Sequence, residues 1–305
     1  MNLINLKDLS KKDILSLIDK SLDIKKNPNN YKNKLVGKSM LMIFEKPSLR
    51  TRVSFEVAMT QMGGHAIYGD VGTLPLGDKE SVPDTAKTAS RYCNIIIARV
   101  FDHNDIVELG KYSDVPVINA LTNSSHPCQI LADLLTIKEK IGNLNIKLAF
   151  FGDGDNNITH SLMYAAAILG FDIAVACPKQ HMPNKKVTKD CINIAKNTGA
   201  KITITQKPLE AATNSDVIYT DSWMSYHIPK TQSKKRVKTF KPFQVNQKVM
   251  KIAKKNAIFM NCLPAMRGYE QTAEVIDGPK SVVFDQAENR LHMQKAIILK
   301  LMNIR

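Results

Sequence analysis

Short continuous runs of apolar residues alternate along the chain with segments in which apolar positions recur every three or four residues. The short runs predict strands buried on both faces, and the periodic segments predict helices. The predicted strands are Ser39–Phe44, Asn94–Val100, Pro116–Asn119, Lys147–Phe151, Asp172–Ala176, Lys201–Thr205, Asp216–Thr220, Ala257–Met260 and Ser281–Phe284. The predicted helices are Thr51–Met62, Val82–Arg91, Ile130–Ile141, Ile158–Leu169, Val187–Asn197, Val245–Lys254 and a last one from Glu288 onward.

This alternation predicts an α/β protein with two doubly wound parallel-sheet domains linked by helices. A length of 305 residues fits two domains. We expect one domain over residues 1–133, a second over 134–287, and a C-terminal helix over 288–305 that returns to the first domain. In such sheets ligands bind beyond the carboxyl ends of the strands. The residues that directly follow strands are therefore the first candidates for chemistry.

Composition narrows the class of protein. The absence of any run of ~18 apolar residues argues against a membrane span. The net charge of +15 is compatible with a nucleic-acid partner or with a lysine-rich surface. Aromatic residues make up only 6% of the chain, and no basic segment is interleaved with them, so we expect no nucleic-acid partner. The lysine-rich segment Lys230–Lys241 is interpreted as a solvated loop.

The cysteines and the N-terminal residues indicate the cellular compartment of the protein. The five cysteines are scattered and form no CxxC pair, which predicts a reducing compartment and no metal site. Lys and Asp interrupt the first residues too often for the apolar region of a signal peptide. A cytoplasmic enzyme is the expectation.

The segment Phe44–Arg52 leads from a predicted strand into a helix N-terminus. Free N–H groups at such an end bind anions, and Ser48, Arg50 and Thr51 add hydroxyl and guanidinium donors. The alternative is that Ser48 is a plain N-cap beside surface arginines. The donors together favour an oxyanion site.

Further candidates follow other predicted strands. Arg99 ends an apolar strand, and His126 and Gln129 precede an apolar helix, where they can donate to a carbonyl oxygen and hold an amide. The alternatives are a solvated strand end for Arg99 and a helix cap for His126. The turn Gly152–Asn157 lacks the third glycine of a dinucleotide fingerprint and is interpreted as a polar ligand turn.

Two more candidates lie in the C-terminal half. Asp221 follows a strand and can attract a cationic group, although it can equally cap a helix. Cys262 follows the next predicted strand and is a nucleophile, a hydrogen-bonding partner or an inert side chain.

These segments in this order, with Asp285–His292 near the end, resemble the aspartate/ornithine transcarbamylase family, and most closely its ornithine members. The resemblance covers nearly the whole chain. It implies two α/β domains, a homotrimer or a multiple of trimers, and no cofactor. It also implies transfer of the carbamoyl group of carbamoyl phosphate to the δ-amine of ornithine, in arginine biosynthesis or the related catabolic direction.

The resemblance also assigns residues. Arg99, His126, Asp221 and Cys262 are implied to be catalytic. The carbamoyl-phosphate contacts are implied to be Ser48, Leu49, Arg50, Thr51, Arg99, His126, Gln129, Cys262, Leu263 and Arg290. The ornithine contacts are implied to be Asn157, Asp221, Ser225 and Tyr226.

The chain departs from the family pattern at a few positions. Leu49 replaces a threonine in the phosphate loop, and Asn261 replaces the histidine before Cys262. Pro75 stands where the family has Gln or His, and Tyr226-His227 replaces Met-Gly. The alternatives are therefore a transcarbamylase for putrescine or an N-acylornithine and, from another class, a non-enzymatic basic binding protein with this fold.

Overall fold

The computed structural model describes residues 1–70, 76–224 and 228–304, which fall into two compact units. Unit 1 comprises Met1–Leu135 and Glu288–Arg305, and unit 2 comprises Thr136–Ala287. Among the helices described here, none has the length and apolar character needed to cross a bilayer.

Unit 1 is built around a parallel sheet covered by helices. Its strands are β1 (Ser39–Phe44), β2 (His65–Asp70), β3 (Ile95–Arg99) and β4 (Val117–Leu121), and in the described residues they are ordered β2-β1-β3-β4. Its helices are α1 (Lys11–Lys26), α2 (Leu49–Gln61), α3 (Val82–Tyr92), α4 (His103–Tyr112) and the first part of α5 (Pro127–Ile141).

The core of unit 1 explains why these segments are strands. Every residue of β3 is buried, because helices cover the sheet. Ile96 and Ala98 pack against Ala86 of α3 and against Ile106 of α4 in one apolar cluster. Buried residues alternate with exposed ones at helical spacing on α4, so one face of that helix completes the core.

Unit 2 contains a second parallel sheet. Its strands are β5 (Lys147–Phe151), β6 (Asp172–Ala176), β7 (Ile202–Thr205), β8 (Val217–Thr220) and β9 (Ile258–Asn261), ordered β7-β6-β5-β8-β9 in the described residues. Its helices are α6 (Asn157–Leu169), α7 (Lys185–Thr198), α8 (Pro208–Ala212), α9 (Ser233–Phe240), α10 (Gln247–Ile252) and α11 (Ala273–Ile276). Helix α12 (Val283–Leu301) follows, and its residues from Glu288 onward belong to unit 1.

The strand register places the ends of neighbouring strands side by side. In unit 2, Thr220 pairs with Phe151 on one side and with Asn261 on the other. In unit 1, Arg99 pairs with Phe44 and with Leu121. Segments that are far apart in sequence therefore leave each sheet at one edge. The predicted α/β class with parallel sheets in two units is confirmed.

Two local predictions are wrong. Ser281–Phe284 is not a strand, since Ser281 forms only an isolated bridge with Phe259 and α12 begins at Val283. Adjacent Val282 and Val283 are both buried while Phe284 is 72% exposed, which is incompatible with strand alternation. Lys230–Lys241 is not a solvated loop either. It includes α9, on which Arg236 and Phe240 are buried.

Candidate active site

The N-terminus of α2 has the geometry of an anion site. Ser48 is its N-cap, and the Ser48 hydroxyl accepts a hydrogen bond from the Thr51 N–H at 3.2 Å. Arg50 and Thr51 lie in the first turn, where the N–H groups of the helix point outward. The side chain of Leu49 has no polar atom, so at this position only the backbone can donate to an anion.

Two predicted residues lie buried in the same unit. Arg99 ends β3, and His126 directly precedes α5. Burial lowers the pKa of His126 well below its ordinary value, and the positive charges of Arg290, Arg99 and Lys46 lower it further. His126 is therefore a neutral imidazole at neutral pH. The same positive charges that keep the imidazole of His126 neutral also favour the binding of an anion beside it.

A hydrogen-bonded chain connects α5, α12 and α2. The Gln129 amide donates to a carboxylate oxygen of Asp133 at 2.9 Å, and Arg290 donates to the amide oxygen of Gln129. The guanidinium of Arg290 also lies 3.4 Å from the Thr51 hydroxyl. Both edges of the Gln129 amide are therefore engaged. Asp133 was not predicted, although its position one helical turn after Gln129 is a usable signal.

Lys46 is a cation that the sequence interpretation missed. Its side chain is buried, donates to the amide oxygen of Asn123, and lies 4.2 Å from the centre of the Phe101 ring. Burial and the charge of Arg99 lower the pKa of Lys46 to about 8, although Glu45 opposes this shift. We call Lys46, Arg99, His126 and Arg290 the unit 1 cluster.

Asp221 and Cys262 are brought together in unit 2. The Cys262 thiol donates to one carboxylate oxygen of Asp221 at 3.1 Å, and the Asn156 amide lies 3.4 Å from the other oxygen. Burial raises the pKa of Asp221, and Asp153 raises it further, whereas the Cys262 thiol and the Ser222 N–H lower it. We call Asp221, Cys262 and Asn156 the unit 2 cluster. Burial therefore outweighs the hydrogen bonds that stabilise the charged form of this carboxylate and lower its pKa.

The other predicted residues of unit 2 lie at the same sheet edge. Asn157 is half-buried at the start of α6, beside the N-cap Asn156. Leu263 has a positive φ of 56°, and its N–H donates to the Asn261 side chain at 2.8 Å. Asn261 is fully buried and also donates to Gln271 at 3.1 Å. The residue that replaces the family's histidine therefore supports the backbone at Leu263.

Some predicted positions lie outside the described residues. These are Ser225 and Tyr226, predicted to bind ornithine, and the departures Pro75 and His227. The described backbone resumes at Ile228, shortly before α9. Glu270, which the sequence interpretation missed, is buried and accepts hydrogen bonds from the backbone N–H groups of Trp223 and Met266 at 3.1 and 3.0 Å.

The buried cations of unit 1 and the carboxylate at the sheet edge of unit 2 suit an enzyme with one anionic and one cationic substrate. Comparison with family models agrees. Residues 1–139 match the carbamoyl-P binding domain of aspartate/ornithine carbamoyltransferases, and residues 144–301 match their Asp/Orn binding domain. The chain therefore belongs to the aspartate/ornithine carbamoyltransferase family and is a carbamoyltransferase.

Individual relatives cover almost the full length. The chain is 48% identical over 299 residues to an ornithine carbamoyltransferase of Methanocaldococcus jannaschii, covering 97% of each chain. It is 47% identical to a catabolic ornithine carbamoyltransferase of Thermoplasma acidophilum, covering 96% of this chain and 95% of the relative. Among solved structures, the ornithine carbamoyltransferase of Pyrococcus furiosus matches with a TM-score of 0.95 at 46% identity, over 99% of this chain and 97% of that one.

Proposed function

We propose that this protein transfers the carbamoyl group of carbamoyl phosphate to the δ-amine of ornithine, giving citrulline and phosphate, as a step of arginine metabolism. The observation that carries the proposal is the unit 1 cluster, in which Lys46, Arg99 and Arg290 place positive charge around a neutral His126. Near-identical length and 46–48% identity to proteins named ornithine carbamoyltransferase support ornithine as the acceptor.

Unit 1 binds carbamoyl phosphate in this proposal. The phosphate dianion lies against the N–H groups of α2, where Ser48, Leu49 and Arg50 supply further donors from backbone and side chain. The carbonyl oxygen accepts hydrogen bonds from Thr51, Arg99 and His126, and Gln129 with Arg290 fixes the carbamoyl end. The buried and convergent donors of the unit 1 cluster support this arrangement.

Unit 2 binds ornithine in this proposal. Asp221 carries the negative charge that holds an ammonium group, and the remaining contacts follow the family resemblance. The remaining ornithine contacts are Asn157, Ser225 and Tyr226, and Cys262 with Leu263 completes the carbamoyl-phosphate contacts. The raised pKa of Asp221 supports its role, because a desolvated carboxylate gains most from pairing with a cation.

The chemistry is an acyl transfer. The neutral δ-nitrogen forms a bond to the carbonyl carbon, and negative charge moves to the carbonyl oxygen, where His126, Arg99 and Thr51 stabilise it. The bond from that carbon to the phosphate oxygen then breaks, and phosphate leaves with the electron pair. The nitrogen loses one proton, for which the carboxylate of Asp221, with the Cys262 thiol donating to it, is the acceptor group of unit 2. Positioning of two substrates supplies much of the rate.

We propose a homotrimer, or a multiple of trimers, in the cytoplasm. Apolar side chains on the described surface of unit 1 support association, since Leu49 is 75% exposed, Val53 45% and Ile67, on the edge strand β2, 42%. Light scattering tests this, because a trimer has about three times the chain mass of 34.1 kDa. A monomeric mass would contradict it.

The test of the reaction is direct. The purified protein, supplied with carbamoyl phosphate and ornithine, is expected to form citrulline and phosphate in equal amounts. Arg290→Ala should abolish most of this activity, whereas Glu274→Gln, which changes an exposed carboxylate on α11, should leave it near the wild-type level. Phosphate release without citrulline would contradict the proposal.

A further inference from the structure

Arg236 is a buried arginine outside the predicted site. It lies on α9, and its Nε donates to the backbone oxygen of Trp223 at 2.6 Å. Its guanidinium also pairs with the carboxylate of Asp153 and lies 4.8 Å from the centre of the Phe240 ring. One side chain therefore joins α9 to a residue that is 13 positions away and to one that is 83 positions away.

Both partners of Arg236 belong to segments that carry the unit 2 cluster. Asp153 lies in the turn after β5, where its side chain accepts from the Asp155 N–H at 3.1 Å and its carbonyl accepts from the Thr159 hydroxyl at 2.8 Å. This turn ends at Asn156, the N-cap of α6. Fixing Asp153 therefore fixes the position from which Asn156 reaches Asp221 at 3.4 Å.

Trp223 is held from both sides of its backbone. Its N–H donates to Glu270 at 3.1 Å, while its carbonyl accepts from Arg236. Its fully buried ring stacks on Phe240 with centroids 5.8 Å apart. Trp223 comes two residues after Asp221, so these contacts fix the direction in which the chain leaves β8 and with it the Asp221 side chain.

The positive charge of Arg236 is a second way in which this residue acts on the unit 2 cluster. Asp153 faces Asp221 closely enough to disfavour its ionisation. Arg236 neutralises Asp153 by a buried ion pair, and the imidazole of His181 lies 3.7 Å from the same carboxylate. Among the described residues, Cys262 and Glu270 are further titratable groups that interact with Asp221. Loss of Arg236 would leave the negative charge of Asp153 largely uncompensated beside Asp221.

We propose that Arg236 is a positioning residue for the acceptor: it fixes the two backbone segments that present Asp221 and Asn156 and cancels the charge of Asp153 beside them. This inference rests on the proposed function, since it assigns the unit 2 cluster to ornithine. It predicts a defect confined to ornithine, because Arg236 and the partners described here, Asp153 and Trp223, belong to unit 2.

The experiment compares Arg236→Gln, Arg236→Lys, Asp153→Asn and the double variant Arg236→Gln/Asp153→Asn in steady-state kinetics. The matched control is Lys234→Gln, an exposed position on the same helix. Arg236→Gln is expected to raise the ornithine KM by about tenfold or more and the carbamoyl-phosphate KM by less than about threefold. For Arg236→Gln, the acid limb of the pH profile, where kcat/KM for ornithine falls as pH falls, should move to higher pH.

The other variants separate the two roles of Arg236. The double variant should return the acid limb to the wild-type position, because no buried charge is left uncompensated, while the ornithine KM stays high. Arg236→Lys keeps the charge but cannot reproduce the fork that serves Asp153 and Trp223 together, so it should keep the wild-type acid limb with an intermediate KM.

Other results would overturn the inference. Equal changes in both KM values, or an acid limb that does not move in Arg236→Gln, would reduce Arg236 to a purely structural role. Ornithine affinity measured by calorimetry separates this from the proposed reaction. A wild type that binds ornithine without forming citrulline contradicts the reaction alone, and unchanged affinity in Arg236→Gln contradicts the positioning role alone.

Discussion

Replacing Asp221 by asparagine should weaken ornithine binding and stabilise the fold. Asparagine keeps an oxygen that can accept the Cys262 thiol, now 3.1 Å from the carboxylate. The change therefore removes the charge and little else. A hydrogen bond to a charged group contributes about 1.5–3 kcal/mol, so kcat/KM for ornithine should fall by about 10- to 150-fold. The carbamoyl-phosphate KM should change little, because Asp221 lies in unit 2.

The effect on stability has the opposite sign. Burial raises the pKa of Asp221, so the folded protein holds this proton more tightly than the unfolded chain. Stability therefore falls as pH rises above the pKa of an unfolded Asp, about 3.9. The asparagine variant does not carry this cost at neutral pH and should have a higher Tm there. The gain should shrink as pH falls toward 4.

The assay combines both readouts. Ornithine saturation curves at fixed carbamoyl phosphate are measured from acid to alkaline pH, and thermal unfolding is followed over the same range. Glu274→Gln is the matched control, because it removes an exposed carboxylate of the same unit away from the site. A variant with unchanged ornithine kinetics, or with a lower Tm at neutral pH, would refute the reasoning.

Further predictions concern the unit 1 cluster and the surface charge. Because the pKa of Lys46 is lowered to about 8, the carbamoyl-phosphate KM should rise as pH rises above 8, and Lys46→Gln should make the KM high and nearly independent of pH in the same kinetics. Asp133→Ala should raise the carbamoyl-phosphate KM by about tenfold with ornithine unaffected, because it removes the acceptor that fixes the Gln129 amide; equal changes for both substrates would count against this. Arg50→Ala should remove most activity, at a cost of about 2–4 kcal/mol of transition-state stabilisation; near-native turnover would exclude Arg50 from the anion site. Binding to DNA should be weak and lost at moderate salt, as a salt titration would show; tight, salt-resistant binding would favour a nucleic-acid role.

The strands that the sequence predicted well are those with uninterrupted apolar runs. Ser39–Phe44 and Lys147–Phe151 match β1 and β5 at both ends, because burial on both faces leaves no polar position inside them. Strand β2 was missed, since its sequence HAIYGD has no apolar run. It is an edge strand, and Ile67 within it is 42% exposed. An edge strand is not buried on both faces, so it lacks the continuous apolar run on which the strand predictions relied.

Helices with many charges were harder to predict. The helix α1 is rich in Lys and Asp, yet Ile14, Leu17, Ile18 and Ile24 form its buried face, which is a helical pattern hidden by the polar residues between them. For α9 the basic residues suggested a loop. Its buried side chains, Arg236 and Phe240, are only two of its eight residues. Their burial depends on partners elsewhere in the chain.

The candidate site was predictable where its residues come directly after a strand. Asp221 and Cys262 directly follow the neighbouring strands β8 and β9, so sheet topology alone brings them together. Lys46 comes two residues after β1 and carries the same signal, although its burial depends on Asn123 and Phe101. The pairing of Arg236 with Asp153 has no local signal. Residues that act through distant partners require the folded structure.

The measurement that tests the central claim most directly is a comparison of acceptors. Rates of carbamoyl transfer from carbamoyl phosphate are determined for ornithine, putrescine and Nα-acetylornithine with the same purified protein. Putrescine keeps both amines but lacks the α-carboxylate, and acetylation removes the cationic α-amine that Asp221 is proposed to hold. The account predicts the highest kcat/KM for ornithine, by about tenfold or more over either alternative. A clear preference for putrescine or Nα-acetylornithine would contradict it.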